Sequence, residues 1–282
     1  MLSYVGYKAP WLVGVSDSEN RMRVLEESVR LSPNNITYNI EYAYALLQQK
    51  RYDEAETYAN KIANELDQEN ADGYAIRGIC YFFGHNGTDD EEEYRMLAYN
   101  DLKKAIEYGN TQIKTYYCYG WLCYVYRQDY KEAEEIFERA IWKIESFPDG
   151  SADSDFFAYS YYYYAMSRFE NEGQFDDLQK KALEMAIDIR EKSDFYIQLG
   201  YCYCHDETST NNLKRAEDCF NTAVTLSPNV YTHDWRGWFY ASKLSSPEKA
   251  KEDYQYIVDY YVDNDLPDDD RMRNAIYFIN NH

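Results

Sequence analysis

The chain has 282 residues, enough for one or two globular domains or one long repeat array. Its 12 Gly and 6 Pro are too few for a turn-rich β protein and point to long helices, and it holds no run of about 18 apolar residues that would cross a bilayer. With 29 basic against 50 acidic residues the net charge is −21, which makes nucleic acid and anionic membrane poor partners; a basic protein or peptide complements that charge, and solubility alone explains it equally well.

In chain order, the first residues show no basic stretch followed by an apolar one, so no secretory signal is expected. Residues 1–18 carry Pro10 and Gly14, match no later segment, and read as an irregular cap or a worn first helix. The segment Ser28-Val29-Arg30-Leu31-Ser32-Pro33-Asn34 recurs as Ala223-Val224-Thr225-Leu226-Ser227-Pro228-Asn229, each a helix end followed by a proline stop. Between and beyond them a small residue returns with an aromatic or apolar neighbour about one turn away. Ala43, Gly78, Gly120, Ala165, Gly200 and Gly237 are spaced 35, 42, 45, 35 and 37 apart.

After each small residue comes a second amphipathic run that opens on Ala. Tyr52-Asp53-Glu54-Ala55 and Tyr130-Lys131-Glu132-Ala133 are two openings, and Phe175-Asp176-Asp177-Leu178 is a degraded one. The apolar positions then step by four and three: Ala98, Leu102, Ala105; Ala133, Phe137, Ala140; Ala216, Phe220, Ala223; Ala250, Tyr254, Ile257. That spacing lays one apolar stripe on each helix. Gly84-His85-Asn86-Gly87-Thr88-Asp89-Asp90 reads as a loop, and residues 147–153 as a hinge between two halves. Residues 268–281 follow Leu266-Pro267 and predict a terminal helix. Asp268, Asp269 and Asp270 suit its positive end, and Met272, Ala275, Ile276 and Ile279 give it an apolar side to cover the last repeat's core.

Each repeat is thus a helix A with the small residue, a turn, and a helix B with the Ala stripe. Two helices approach closely only where one side chain is tiny, which explains Gly in mid-helix despite its poor propensity. One hairpin cannot bury both its faces, so copies stack.

The order small residue, aromatic, Ala, aromatic, Pro resembles the tetratricopeptide repeat family, most closely in Gly200, Tyr203, Ala216, Phe220, Ala223 and Pro228. The resemblance covers residues 19–262, as a leading half-repeat near 19–33 and six repeats. It implies an all-α, right-handed α-solenoid of helix-turn-helix repeats. The distance from small residue to Ala is 12 or 13 in four repeats but 20 from Gly78 to Ala98 and 16 from Gly200 to Ala216, longer spacing that also occurs in the related Sel1-like repeats.

The resemblance further implies that helix A lines a concave groove in which ligands lie. The residue after each small anchor then faces the groove: Tyr44, Ile79, Trp121, Met166, Tyr201 and Trp238. Positions three before the anchor add Ile40, Tyr117, Tyr162 and Ile197, and positions four after it add Leu47, Phe82, Tyr124 and Phe169. With 33 Tyr in the chain, this groove is apolar and aromatic on an acidic body. A carboxylate clamp of Lys, Asn and Arg, one use of such grooves, does not fit, because Lys114 is the only basic residue on that face.

Catalytic chemistry finds no footing. The chain has no phosphate loop, no Gly-x-Ser-x-Gly, no His-Glu-x-x-His and no zinc-spaced cysteine pairs. Cys202, Cys204 and His205 fall in a helix, where positions two apart point away from each other, so all six cysteines read as free thiols of a reducing, cytoplasmic setting. The Asp263–Asp268 stretch lacks the central Gly and closing Glu of a calcium loop. No cofactor or metal is expected. The sequence therefore reads as a non-catalytic interaction scaffold that binds a peptide or helix in the aromatic groove. An acidic inhibitor or immunity-type protein that neutralises a basic partner is the alternative, and a helper domain of a larger enzyme or glycan system stands third.

Overall fold

The computed structural model describes residues 18–85, 87–88, 90–146, 154–173, 175–206, 209 and 211–282. The expected cap at 1–18, all but Ser18, and the hinge at 147–153 lie outside the described residues. The chain divides into two compact units, Met1–Pro148 and Asp149–His282.

Among the described residues every regular element is helical. The first unit holds α1 (Ser18–Leu31), α2 (Ile36–Gln48), α3 (Tyr52–Lys61), α4 (Ala71–Gly84), α5 (Glu91–Glu107), α6 (Ile113–Trp121) and α7 (Tyr130–Ser146). Helices α3 and α6 each run on into a wider π-helical turn, Ile62–Leu66 and Leu122–Arg127. The second unit holds α8 (Ser154–Glu172), α9 (Asp177–Ile189), α10 (Ser193–His205), α11 (Asn212–Leu226), α12 (Val230–Ser242), α13 (Pro247–Asp263) and α14 (Asp270–Asn281). Each helix packs on the next within its unit. Helices α2, α4 and α6 also touch in sequence, and so do α10 and α12. These are paired helix-turn-helix repeats of tetratricopeptide-like architecture.

Local signals set the helix starts. Asn35, Asn70, Asp176, Asn229 and Asp269 cap α2, α4, α9, α12 and α14 by accepting backbone N–H bonds, and Asp176 and Asn229 complete capping boxes with Gln179 and Thr232. Such caps satisfy N–H groups that the helix leaves open, each worth about 1 kcal/mol.

The small residues sit where hairpin partners meet. A Cβ on Gly78 would lie 2.7 Å from Leu102 Cγ and 3.2 Å from the Leu102 backbone nitrogen, and one on Gly120 would lie 2.7 Å from the Phe137 ring. At Gly200 the nearest atoms of Cys219 and Phe220 are 3.2 Å away, and at Gly237 Tyr254 is 3.1 Å away. Ala43 and Ala165 are buried in the equivalent places. The facing stripes are buried as well: Ala98, Leu102, Ala105; Ala133, Phe137, Ala140; Ala216, Phe220, Ala223; Ala250, Ile257. Helix α9 differs. Leu178, the expected stripe opening, is 52% exposed, and the buried face starts one turn later with Ala182, Leu183 and Ala186. Gly73 is an unforeseen close approach, its Cβ position 2.8 Å from Ile62 Cγ2.

In two repeats the helix A–helix B seam is ionic. Arg77, the residue before Gly78, donates to Asp101 at 2.6 and 2.9 Å and to Asn60 on the preceding helix B at 3.1 Å. Arg236, the residue before Gly237, repeats this with Asp253 at 3.0 and 2.7 Å and Asn221 at 3.0 Å. His233 Nδ1 also lies 2.7 Å from Asp253, whose side chain is 1% exposed. In three other repeats the residue before the anchor is a ring, and before Gly200 it is Leu199: Tyr42 meets Tyr58 edge-on at 5.0 Å, and the Tyr119 hydroxyl donates to Glu132 at 2.5 Å. At the end of the second unit, Met272 and Ala275 of α14 join Val230, Ile257 and Tyr261 in one apolar cluster.

Two outcomes follow in urea titrations. Gly78→Ala and Gly120→Ala should each lower the unfolding free energy by roughly 1–3 kcal/mol through overpacking, although Ala is the better helix former by about 1 kcal/mol. Gly200→Ala, with more room, should cost less; stabilisation at Gly78 and Gly120 would contradict the close contact. Asp253→Ala leaves the half-buried Arg236 guanidinium without its carboxylate and should cost up to roughly 3 kcal/mol, part of it regained when Arg236→Met is added. A loss below 1 kcal/mol would show the ion pair to be structurally idle.

Candidate functional site

Helix A positions carry the aromatic residues that the hairpin seams do not use, and the two units use them differently. In the first unit, Tyr44 donates its phenol to Asp72 at 2.8 Å, and the Asn110 amide donates to the same oxygen at 3.0 Å. Burial, then the adjacent carboxylate, push the Tyr44 phenol well up, so this hydroxyl is committed inside the unit. Ile79 is 1% exposed and belongs to the core, which corrects its expected place in the groove. Phe82, 9% exposed, meets the half-buried Trp121 edge-on at 5.2 Å, and the Arg95 guanidinium lies 5.8 Å from the Trp121 ring. Tyr124 packs edge-on against Tyr130 at 5.4 Å, and Tyr117 is half-buried. Phe82 and Trp121 thus come together, whereas Tyr44 sits apart in a polar network.

The second unit holds a larger array. Tyr162 lies 5.1 Å from Phe195. Met166 lines a small cavity of about 30 Å³ with Phe169, Phe175 and Tyr201. From there the rings run on without a break: Phe169 stacks on Phe175 at 4.4 Å, Phe175 meets Tyr201 edge-on at 5.3 Å, and Tyr201 reaches Trp235 at 5.4 Å and Trp238 at 5.5 Å. Trp235 and Trp238 are 5.7 Å apart and nearly perpendicular. His205 rests 4.4 Å from Tyr201, and the Lys243 ammonium lies 5.8 Å from the Trp238 ring. Tyr201, Trp235 and Trp238 are each half-buried, so they present area to solvent while their packing holds them still. Beside them a hollow of about 370 Å³ is lined by Tyr201, Asp234, Trp235, Trp238, Tyr254 and Asn274.

Sequence spacing brings Met166, Phe169, Tyr201 and Trp238 into this array but misses Phe175, Trp235 and Tyr254. Trp235 is three residues before Trp238, a helical step, and that was the available signal. Leu47 and Ile197, like Ile79, are buried, because helix A is covered by its own helix B and by neighbouring helices.

No group of three or more His, Cys, Asp or Glu among the described residues could hold a metal ion. The six cysteines are free. Burial pushes the thiols of Cys80, Cys118, Cys202, Cys204 and Cys219 up to about 12 and raises that of Cys123 as well.

The fold is an all-α solenoid of paired helices with tetratricopeptide-like architecture. No family model matches the chain, and no curated protein matches it. Solved structures do. PilF of Pseudomonas aeruginosa is similar over 86% of this chain and 96% of its own, with 12% identity and a TM-score of 0.59. PilW, a type IV pilus biogenesis factor, is similar over 86% and 98%, with 13% identity and a TM-score of 0.57. The Cut9–Hcn1 structure is similar over 83% of this chain and 44% of its own, with 14% identity and a TM-score of 0.57. Likeness at these identities establishes the fold.

Since the thiolate is the reactive form, the raised thiols should resist attack at pH 8. Ellman's reagent should label native protein slowly, Cys204 first because it is half-buried, and should reach six equivalents only in urea. Fast native labelling of Cys118 or Cys202 would contradict the buried placement.

Proposed function

We propose that the chain is a non-catalytic protein-interaction scaffold whose second unit docks a peptide or helix on the Phe169–Phe175–Tyr201–Trp235–Trp238 face. One observation carries the proposal: five rings from α8, the turn after it, α10 and α12 form a continuous, partly open array beside a hollow of about 370 Å³. Large rings with few rotors give much contact area for little ordering entropy, which is why Trp and Tyr dominate binding hot spots. The net charge of −21 favours basic residues in the segment that docks. The unpaired cysteines suit a reducing compartment such as the cytoplasm.

The same charge supports one rival, an acidic protein that neutralises a basic partner through charge alone. The two readings separate by salt and by mutation. Peptides selected from a random display library on the full chain should lose at least about tenfold in affinity with Trp238→Ala, the scale of a hot-spot residue. They should weaken only modestly between 50 and 500 mM NaCl. Affinity that collapses with salt and ignores Trp238→Ala would replace the docking face with the charge-driven reading, because exposed ion pairs are screened beyond about 8 Å at physiological salt.

A further inference from the structure

The hollow beside α12 has a lining that apolar docking does not require. Tyr201 of α10, Trp235 and Trp238 of α12, and Tyr254 of α13 contribute rings, Asp234 contributes a carboxylate, and Asn274 of α14 contributes an amide. Tyr254 sits against Gly237, its ring 3.1 Å from where a Cβ there would lie. The centroids of Tyr201, Trp235 and Trp238 form a nearly equilateral triangle with sides of 5.4, 5.5 and 5.7 Å. All three rings line the one hollow, so a cation seated there comes beside each of them, and over the face of any one within ~6 Å it gains a cation–π contact.

Charge completes the site. Arg271 donates from Nε to Asp234 Oδ2 at 2.9 Å, which steadies the carboxylate and leaves Oδ1 without a hydrogen bond among the described residues. Lys243 lies near Trp238, but among the described residues no cation sits over Tyr201 or Trp235. We propose that this hollow is an aromatic cage for the guanidinium of an arginine in the docked peptide. The planar head stacks on a ring while its N–H groups donate to Asp234 Oδ1, a combination that suits arginine better than the compact ammonium of lysine. The volume of about 370 Å³ is at the small end of ligand pockets, which run from roughly 300 to 1,000 Å³, and fits one side-chain head rather than a folded segment. The proposal rests on the docking reading of the second unit and adds the chemistry of one anchor.

The test uses the full chain and small probes. N-acetyl-arginine amide is titrated into ¹⁵N-labelled protein, and the indole N–H signals of Trp235 and Trp238 are followed. The neutral isostere N-acetyl-citrulline amide and N-acetyl-lysine amide are titrated in parallel. Saturable shifts of both indoles are expected with the arginine probe, with lysine weaker, citrulline weaker by about tenfold, and a similar loss in Asp234→Asn. Signals of Trp121 and Trp142 should stay in place. Equal binding of arginine and citrulline, or no shift with arginine, overturns the cage. Those comparisons use unaltered protein, so they hold even where Asp234→Asn disturbs its Arg271 partner. If the arginine probe fails while display-selected peptides still depend on Trp238, the cage falls and the docking face stands; if the probe seats and no peptide binds, the reverse holds.

Discussion

Helix A and helix B of each hairpin cross at a point where one of them has almost no side chain, and much of the structure depends on that crossing. With no Cβ at Gly78, Leu102 reaches the backbone of α4; with none at Gly120, the tip of the Phe137 ring reaches the backbone of α6. Ala on the facing helix buries completely in the same seam. The hairpin that results has spent its small residues on one side. Its remaining helix A positions must be covered by the next hairpin or left facing outward, and the many Tyr, Phe and Trp residues do both.

This division explains why one unit keeps an open array of rings and the other less of one. In the first unit, ring positions are drawn into seams and polar ties. Tyr44 bonds Asp72, Tyr119 bonds Glu132, and Phe82 packs perpendicular to Trp121. In the second, Tyr201, Trp235 and Trp238 pack on each other and stay half-open, with a carboxylate at their side. Rings held by neighbouring rings are already ordered, so a guest that lies on them loses little further entropy. The ionic seams at Arg77–Asp101 and Arg236–Asp253 act in the opposite direction. A buried ion pair adds little net stability, but breaking it is costly, so the pair punishes misregistered hairpins more than it rewards the correct one.

The repeat was legible because its signal is local. Gly78, Gly120, Gly200 and Gly237 stand in mid-helix, and each is followed by an Ala stripe at helical spacing. The site was legible only in part. Counting one residue past the anchor selects Trp121, Tyr201 and Trp238, whose rings are half-buried, and also Ile79, which the neighbouring helices bury. The stripe spacing places Tyr254 in the core, yet it also reaches the hollow, because the gap beside Gly237 admits its ring. The clamp of Arg236 with Asp253 joins residues 17 apart, and that of Arg77 with Asp101 joins residues 24 apart. The separation follows the length of the intervening loop, so no fixed spacing reveals it. The shift of the α9 stripe from Leu178 to Ala182 has a similar cause: one extra turn between anchor and stripe moves the buried face without altering the pattern's period.

A crystal structure of the full chain with a display-selected peptide tests the docking face most directly. Peptide density lying across Phe169, Tyr201, Trp235 and Trp238, with an apolar or aromatic residue seated among the rings, is the expected result. Density on the outer surfaces of α9, α11 or α13, with those rings solvent-exposed and unmoved, would contradict it.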